Sequence, residues 1–272
     1  MSEENQPVAA VETTPPTLGF IRVFWGVITR PKHTFELLRA SGRRTWLVMV
    51  LLAVILVILP ALASGPIQAR QAQETFLAVQ EQFADQTGSA PGEVVVPEGG
   101  GVPAFISSPL FTTLFPALGS IIGLVLGWLL WGGVLHLLSS LSGGRNTFMQ
   151  MIQVVIWAWL PYGIRNLLQA IYIAGTGALI ANPGLSGFAG PTPAVEEFVF
   201  TPPPTSTLIL RTFLGQIDMY LFWNLALLAT GVMVMAQVSR RKAWGMVCLI
   251  WAVFTLIRLI PPLVTGALPF GG

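Results

Sequence analysis

The sequence predicts an all-α protein, a polytopic membrane bundle of about five transmembrane helices. Of its 272 residues, 53% are hydrophobic and only 10% are charged, whereas about 25% of the residues of an average soluble protein are charged. The mean hydropathy is +0.71. The charges are too few to cover a soluble protein of this size, and the single cysteine, Cys248, excludes an internal disulfide.

Five apolar stretches are long enough to cross a membrane, because about 20 apolar residues span the hydrocarbon core. The first is expected to end near Pro60, and residues 68–86 have an amphipathic helical pattern that can extend it outward. The third is too long for one untilted span, so we expect a break or kink at Pro161. The predicted stretches are 46–63, a span within 111–138, 148–181, 208–238 and 243–268.

The segments outside the spans predict a simple organisation. The polar, proline-containing N-terminus is typical of a disordered tail. The two helices that follow would either lie on the cytoplasmic leaflet, where basic residues meet anionic lipid, or pack beneath the bundle, and the sequence favours neither. The predicted division is a disordered tail at 1–17, cytoplasmic amphipathic helices at 18–45, and a five-helix transmembrane domain at 46–268 with outer loops 64–109 and 182–207.

Lysine and arginine are concentrated on one predicted side of the membrane. Residues 1–45, the turn around Arg145 and the turn 239–242 hold ten basic residues, whereas the opposite side holds one, Arg70, and seven acids. Because basic loops remain in the cytoplasm, the N-terminus is predicted to be cytoplasmic and the C-terminus outside. No stretch combines basic residues with exposed aromatics for base stacking, so we expect no nucleic-acid partner.

Three glycines recur at every fourth position of the second span. Gly119, Gly123 and Gly127 therefore share one helix face, and small residues on such a face allow close backbone approach. This helix-packing face could form an oligomer contact or let the helix slide. We favour packing within the bundle.

Three charged residues lie inside the predicted spans. A charge at a helix centre costs roughly 2.5–3.5 kcal/mol, so Arg165, Asp218 and Arg258 are expected to avoid lipid. Their distances from the span ends place all three in the outer half of the bilayer. We expect a buried cluster in which Asp218 pairs with Arg258, Arg165 or both. The pair would fix the helix register, which we favour, or form an ion or substrate site. If the span begins at Pro161, Arg165 leaves the cluster.

Catalytic and cofactor motifs find little support in the chain. Residues 184–187 match the Gly-x-Ser-Gly pattern of rhomboid-type intramembrane proteases, but no histidine follows, and His136 is predicted near the cytoplasmic end. Two isolated histidines and one cysteine do not form a metal-ligand set. No glycine-rich loop for phosphate is present. We therefore expect neither an enzyme nor a cofactor.

Three short segments stand in order along the chain: Thr29-Arg30-Pro31 with Phe35, Gly143-Gly144-Arg145 with Phe148, and Trp159-Leu160-Pro161. With the predicted spans, they resemble the Yip domain family (Ypt/Rab-interacting proteins), in its bacterial branch, over roughly residues 20–268. The resemblance implies five transmembrane helices and a cytoplasmic N-terminus. Eukaryotic members bind prenylated Rab GTPases in vesicle transport, but their cytosolic Asp-Leu-Tyr-Gly-Pro motif is absent here, so only the fold and a membrane-embedded role carry over.

Two functional hypotheses follow. The first is a non-enzymatic, multi-pass protein of the bacterial plasma membrane that binds a partner or organises the membrane. Its partners would be the lipid bilayer and a protein partner or second copy of the chain, bound through the transmembrane bundle. The second is a small transporter or channel that uses Arg165, Asp218 and Arg258, which predicts a water-accessible cavity reaching Asp218. A dry, tightly packed bundle would exclude it.

Overall fold

The protein is a bundle of helices, as predicted. The computed structural model describes residues 19–41, 45–87, 108–190 and 204–267, and these residues form helices and turns without any strand. The predicted tail and parts of both predicted outer loops lie outside the described residues. The α-helices are α1 (Phe20–Thr29), α2 (Pro31–Ser41), α3 (Trp46–Thr87), α4 (Phe115–Leu141), α5 (Phe148–Ala158), α6 (Leu160–Thr176), α7 (Thr205–Leu214), α8 (Met219–Ala236), α9 (Arg240–Arg258) and α10 (Ile260–Ala267).

Four helical segments among the described residues are long and apolar enough to cross a membrane. They contain most of α3, all of α4 and α8, and α9 with the beginning of α10. The remaining predicted span, the third, is divided between α5 and α6, neither of which qualifies alone. The four segments are Trp46–Ala78, Leu110–Leu141, Met219–Ala236 and Arg240–Val264.

The helix of the first predicted span, α3, includes the amphipathic extension. The apolar span was expected to end near Pro60, but α3 continues through Pro60 and Pro66 to Thr87, so the amphipathic residues 68–86 extend it outward without a break. A proline removes one backbone hydrogen bond, and neighbouring helices can hold the chain in place across the gap. Here Gly65 lies directly against Thr113, at the start of the second span, so a neighbour supports α3 where its prolines fall.

The break predicted at Pro161 separates α5 from α6 at Trp159. Proline has no N–H, so it fits the first turn of a new helix better than the middle of an old one. The carbonyl of Ala158, at the end of α5, accepts a 2.6 Å hydrogen bond from Nδ2 of Asn224 in α8. A side chain from another helix thus satisfies a polar group at the break.

The fourth predicted span is not one helix. Residues 208–238 were expected to be continuous, but α7 ends at Leu214 and α8 begins at Met219. Asp218 explains the break, because its carboxylate accepts the backbone N–H of Leu221 at 2.7 Å and so caps the start of α8. The expected single span was wrong because this side chain favours a helix start over a helix interior.

The bundle has two chemically distinct ends. At the first, the α4–α5 turn meets the α8–α9 turn, where the Arg145 backbone N–H donates to the Ala236 carbonyl at 3.0 Å and Lys242 Nζ donates to the Ser142 carbonyl at 2.9 Å. Arg39 of α2 donates to the Val234 carbonyl near the same place, at 3.3 Å. We call this the basic end. The opposite end holds the segment after α6 and the turn between α7 and α8.

The helices α1 and α2 pack against the basic end by one face. The side chains of Val23, Val27 and Phe35 are at most 1% exposed and belong to the main hydrophobic core. The ring of Phe20 lies 5.8 Å from that of Trp157, which is fully buried in α5. The two helices are therefore fixed parts of the bundle, as the packing alternative for these helices required.

Candidate intramembrane charge site

Asp218 lies at the junction between two helices, where both of its carboxylate oxygens are bonded. Its Oδ1 caps α8, and its Oδ2 accepts a hydrogen bond from Nη1 of Arg165 at 3.0 Å. The positive end of the α8 dipole also favours a negative charge here. Asp218 was expected about ten residues inside a span, but it stands at a helix start because the span is broken there.

Arg165 connects α6 to this cap. Its guanidinium also lies over the ring of Tyr162, 4.8 Å from the ring centroid. The side chain of Arg165 is 32% exposed and that of Asp218 is 14% exposed. The ion pair is thus partly buried, so it is screened less than a surface pair and pays less desolvation than a fully buried one.

Arg258 belongs to the same group of side chains without touching Asp218. It is the last residue of α9, and its Nη1 donates to Oε1 of Gln216 at 3.4 Å. Within the described ranges no carboxylate lies within 4 Å of its guanidinium. Among the three pairings that the sequence left open, the structure has Arg165 with Asp218, while the hydrogen bond of Arg258 goes to the Gln216 amide, two residues before Asp218.

A cavity of about 600 Å³ opens beside these residues. Helices α3, α4, α5, α6, α8 and α9 all contribute to its wall. Arg165 and Arg258 line it, whereas Asp218 does not, and no acidic residue is among its described lining residues. The cavity therefore reaches the arginine partner of Asp218 rather than Asp218 itself.

The three predicted packing glycines do not make close helix contacts. At Gly119, Gly123 and Gly127, no atom of a neighbouring element lies within 4 Å of an added Cβ, and the second and third line the cavity. Close approach occurs instead at Gly132, against Ile152, and at Gly231, where a Cβ would lie 2.5 Å from Val154. The four-residue spacing of the glycines predicts a helix face of small residues, but whether another helix packs closely against that face depends on the tertiary structure.

Sequence reasoning missed two amides in this region. Asn224 of α8 is 7% exposed and bonds across to α5, and Gln216 connects Arg258 to the capped turn. An amide in an apolar helix is a usable signal, because such side chains often bond between membrane helices. The partner of Asn224 could not be read from the chain, since it is a backbone carbonyl of another helix.

Ser186, the serine of the protease-like pattern, has no base beside it. It is 2% exposed, and its Oγ has no hydrogen-bond partner in the described part of the chain. His136 lies toward the basic end, where its Nδ1 is 3.0 Å from Nδ2 of Asn146. The described residues also contain no cluster of three or more potential metal ligands.

Comparison with known proteins adds one match. The model of the Yip1 domain family matches residues 25–259, which confirms the resemblance found in the sequence. No curated protein and no solved structure matches the chain.

Proposed function

Because the chain belongs to the Yip1 domain family, we propose that it is a non-enzymatic, multi-pass protein of the bacterial plasma membrane that organises anionic lipid at its basic end. The surface that does so is formed by α1 and α2. The observation that carries the proposal is the double-sided character of α1, which is buried against the bundle on one face and apolar and basic on the other.

The outward face of α1 and α2 has the composition of an interfacial helix. Ile21 is 72% exposed and Trp25 is 59% exposed, one helical turn apart. Arg22, Arg30 and Lys32 are exposed beside them. Amphipathic helices with apolar and aromatic residues on one side and basic residues beside them lie in the headgroup region, and each basic residue near an anionic leaflet contributes about 1 kcal/mol.

The rigid docking of α1 and α2 gives this surface a fixed depth. Thr34, 4% exposed, lies against Gly26 and holds the two helices together. The first membrane-crossing helix begins at Trp46, a few residues after α2. The exposed face is therefore presented next to the point where the chain enters the bilayer, which supports lipid as the bound molecule.

The test compares the lipid retained by the full chain after extraction into polymer nanodiscs. Arg22→Gln/Arg30→Gln/Lys32→Gln should lower the share of anionic lipid, because it removes three charges from the proposed surface. The control, Arg240→Gln/Arg241→Gln, removes two exposed charges from the same end but none from α1 and α2, and should lower the share less for each charge removed. Equal losses in both variants, or none in either, contradict the proposal. A stoichiometric protein partner lost only with the triple variant would replace lipid by protein as the bound molecule.

Transport is a second candidate function, supported by a cavity lined by Arg165 and Arg258, although this cavity does not reach Asp218 as the transport hypothesis predicted. Toward the basic end the core is closed by Leu135, Met151 and Met235, all fully buried, so a solute could cross only if these side chains moved. Because the cavity carries two arginines, the probe is chloride in reconstituted vesicles. Flux above that of empty vesicles that is abolished by Arg258→Gln supports this function, and flux equal to empty vesicles rejects an anion pathway.

A further inference from the structure

The side chains around the cavity carry more positive than negative charge. Two guanidinium groups stand near one carboxylate, and both oxygens of Asp218 are already used by Arg165 and by the α8 cap. Arg258 has only a 3.4 Å contact with the Gln216 amide oxygen. Arginine binds planar oxyanions through two parallel hydrogen bonds, so Arg258 offers donors that no described residue uses.

Buried polar atoms around the cavity also lack partners. Nε of Arg165, Nε1 of Trp128 and Oγ1 of Thr255 are buried without a hydrogen bond in the described part of the chain. Trp128 is 6% exposed and Thr255 is 5% exposed, and all three residues line the cavity. An unsatisfied buried donor costs about 1–3 kcal/mol. These atoms have almost no accessible surface, so a bound molecule with acceptor atoms would lower this cost only by drawing the side chains toward it.

The cavity changes from polar to apolar along its length. Arg258, Arg165 and Gln169 line it toward the end opposite the basic turns, whereas Leu228 and Trp131 line it nearer the middle of the bundle. Residues 120 to 131 of α4 cover about 16 Å of its wall, at about 1.5 Å per residue. A molecule with a polar headgroup and an apolar chain matches this gradient better than a small ion does.

Near the arginines, the α4 side of the cavity borders the surface that faces lipid. Gly123 lines the cavity and is exposed, and its neighbours Ile122 and Leu126 are 58% and 52% exposed. Because Gly123 and Gly127 have no side chains, the α4 wall leaves open space where other residues would fill it. A molecule already dissolved in the bilayer can therefore occupy the cavity beside α4.

From these observations we infer that the cavity binds one anionic membrane amphiphile. Its phosphate or carboxylate lies at Arg258 and Arg165, beside Gly123 and Gly127 of α4, and its chain extends toward Trp131 and Leu228. About 600 Å³ is within the range of small-molecule sites and accommodates a headgroup with part of one chain. The inference is independent of the lipid surface proposed for α1 and α2, because the cavity lies toward the other end of the bundle.

The experiment uses the full chain in a non-ionic detergent and follows thermal unfolding with three added probes. Dioctanoyl phosphatidylglycerol should raise the melting temperature, whereas dioctanoyl phosphatidylcholine and inorganic phosphate should not. The first comparison tests the negative charge, and the second tests the need for a chain. A shift of equal size with phosphatidylcholine, or saturation by inorganic phosphate alone, overturns the inference.

Variants locate the binding. Arg258→Gln should raise about tenfold the phosphatidylglycerol concentration that gives half of the shift in melting temperature. The reason is that a hydrogen bond to a charged group contributes at least a factor of ten to affinity. Gly123→Leu should weaken binding by filling the α4 wall while leaving both arginines. The matched control is Arg211→Gln, which removes a guanidinium at the same end, bonded to Asn182 at 2.7 Å and outside this cavity. An unchanged response in Arg258→Gln, or an equal loss in Arg211→Gln, overturns the inference.

One further variant tests whether the chain neutralises its own arginines. Glu196 and Glu197 lie outside the described residues, between α6 and α7. If the amphiphile binds at the arginines of the wild type, Glu196→Gln/Glu197→Gln should respond to phosphatidylglycerol with the same affinity. If only the double variant responds, the chain's own carboxylates occupy the site and the inference is wrong.

Discussion

Replacing Asp218 by Asn separates the two interactions that this residue makes. Asparagine caps a helix about as well as aspartate, so the bond to the Leu221 N–H is expected to survive. The charge that pairs with Arg165 is lost. An exposed pair contributes about 0–1 kcal/mol and breaking a buried one costs about 3–5 kcal/mol. With side chains 14% and 32% exposed, we expect a loss of about 1–3 kcal/mol in the free energy of unfolding.

Asp218→Ala removes the cap as well and should cost about 1 kcal/mol more than Asp218→Asn. The control for capping alone is Ser239→Ala, which removes the cap of α9 at a site without an ion pair. Unfolding is measured by titrating SDS into mixed micelles and following tryptophan fluorescence. Combining Asp218→Asn with Arg165→Gln should recover part of the loss, because the unpaired guanidinium is then absent. A wild-type stability for Asp218→Asn would refute the structural role of the pair, and an equal loss for Asn and Ala would refute the separation of cap from charge.

Three further predictions use the same unfolding measurement. Gly231→Ala should destabilise the protein by about 1–3 kcal/mol, because the added methyl group would lie 2.5 Å from Val154. Gly123→Ala, with open space beside it, should remain within about 1 kcal/mol of the wild type. Equal effects of the two variants would contradict the packing described. Asn224→Leu should cost about 1 kcal/mol by leaving the last carbonyl of α5 without its partner, and no loss would show that this carbonyl is satisfied otherwise. Ser186→Ala should change stability by less than about 0.5 kcal/mol, since its Oγ makes no hydrogen bond to any residue that the structure describes, and a larger loss would contradict this.

Much of the fold could be predicted because each helix depends mainly on residues that are close together in the sequence. The apolar stretches give the all-helical bundle, and Pro161 locates the α5–α6 break since its ring lacks an N–H. Local reasoning was wrong where two local signals compete, because Asp218 starts a helix inside an apolar stretch. Pro60, in contrast, does not end α3. Hydropathy is an average over about 20 residues, whereas a single capping side chain or a neighbouring helix decides where a helix begins or ends.

Composition and the order of residues along the chain were enough to predict the membrane class, the family and the concentration of basic residues on one side. The pairing of Arg165 with Asp218 could be read only from the packed helices, since 53 residues separate the partners. The tertiary structure also decided that close packing occurs at Gly231 rather than Gly123, and that a cavity lies beside Arg258. The physical reason is that ion pairs, close contacts and cavities are properties of two or more helices together, whereas the sequence specifies each helix singly.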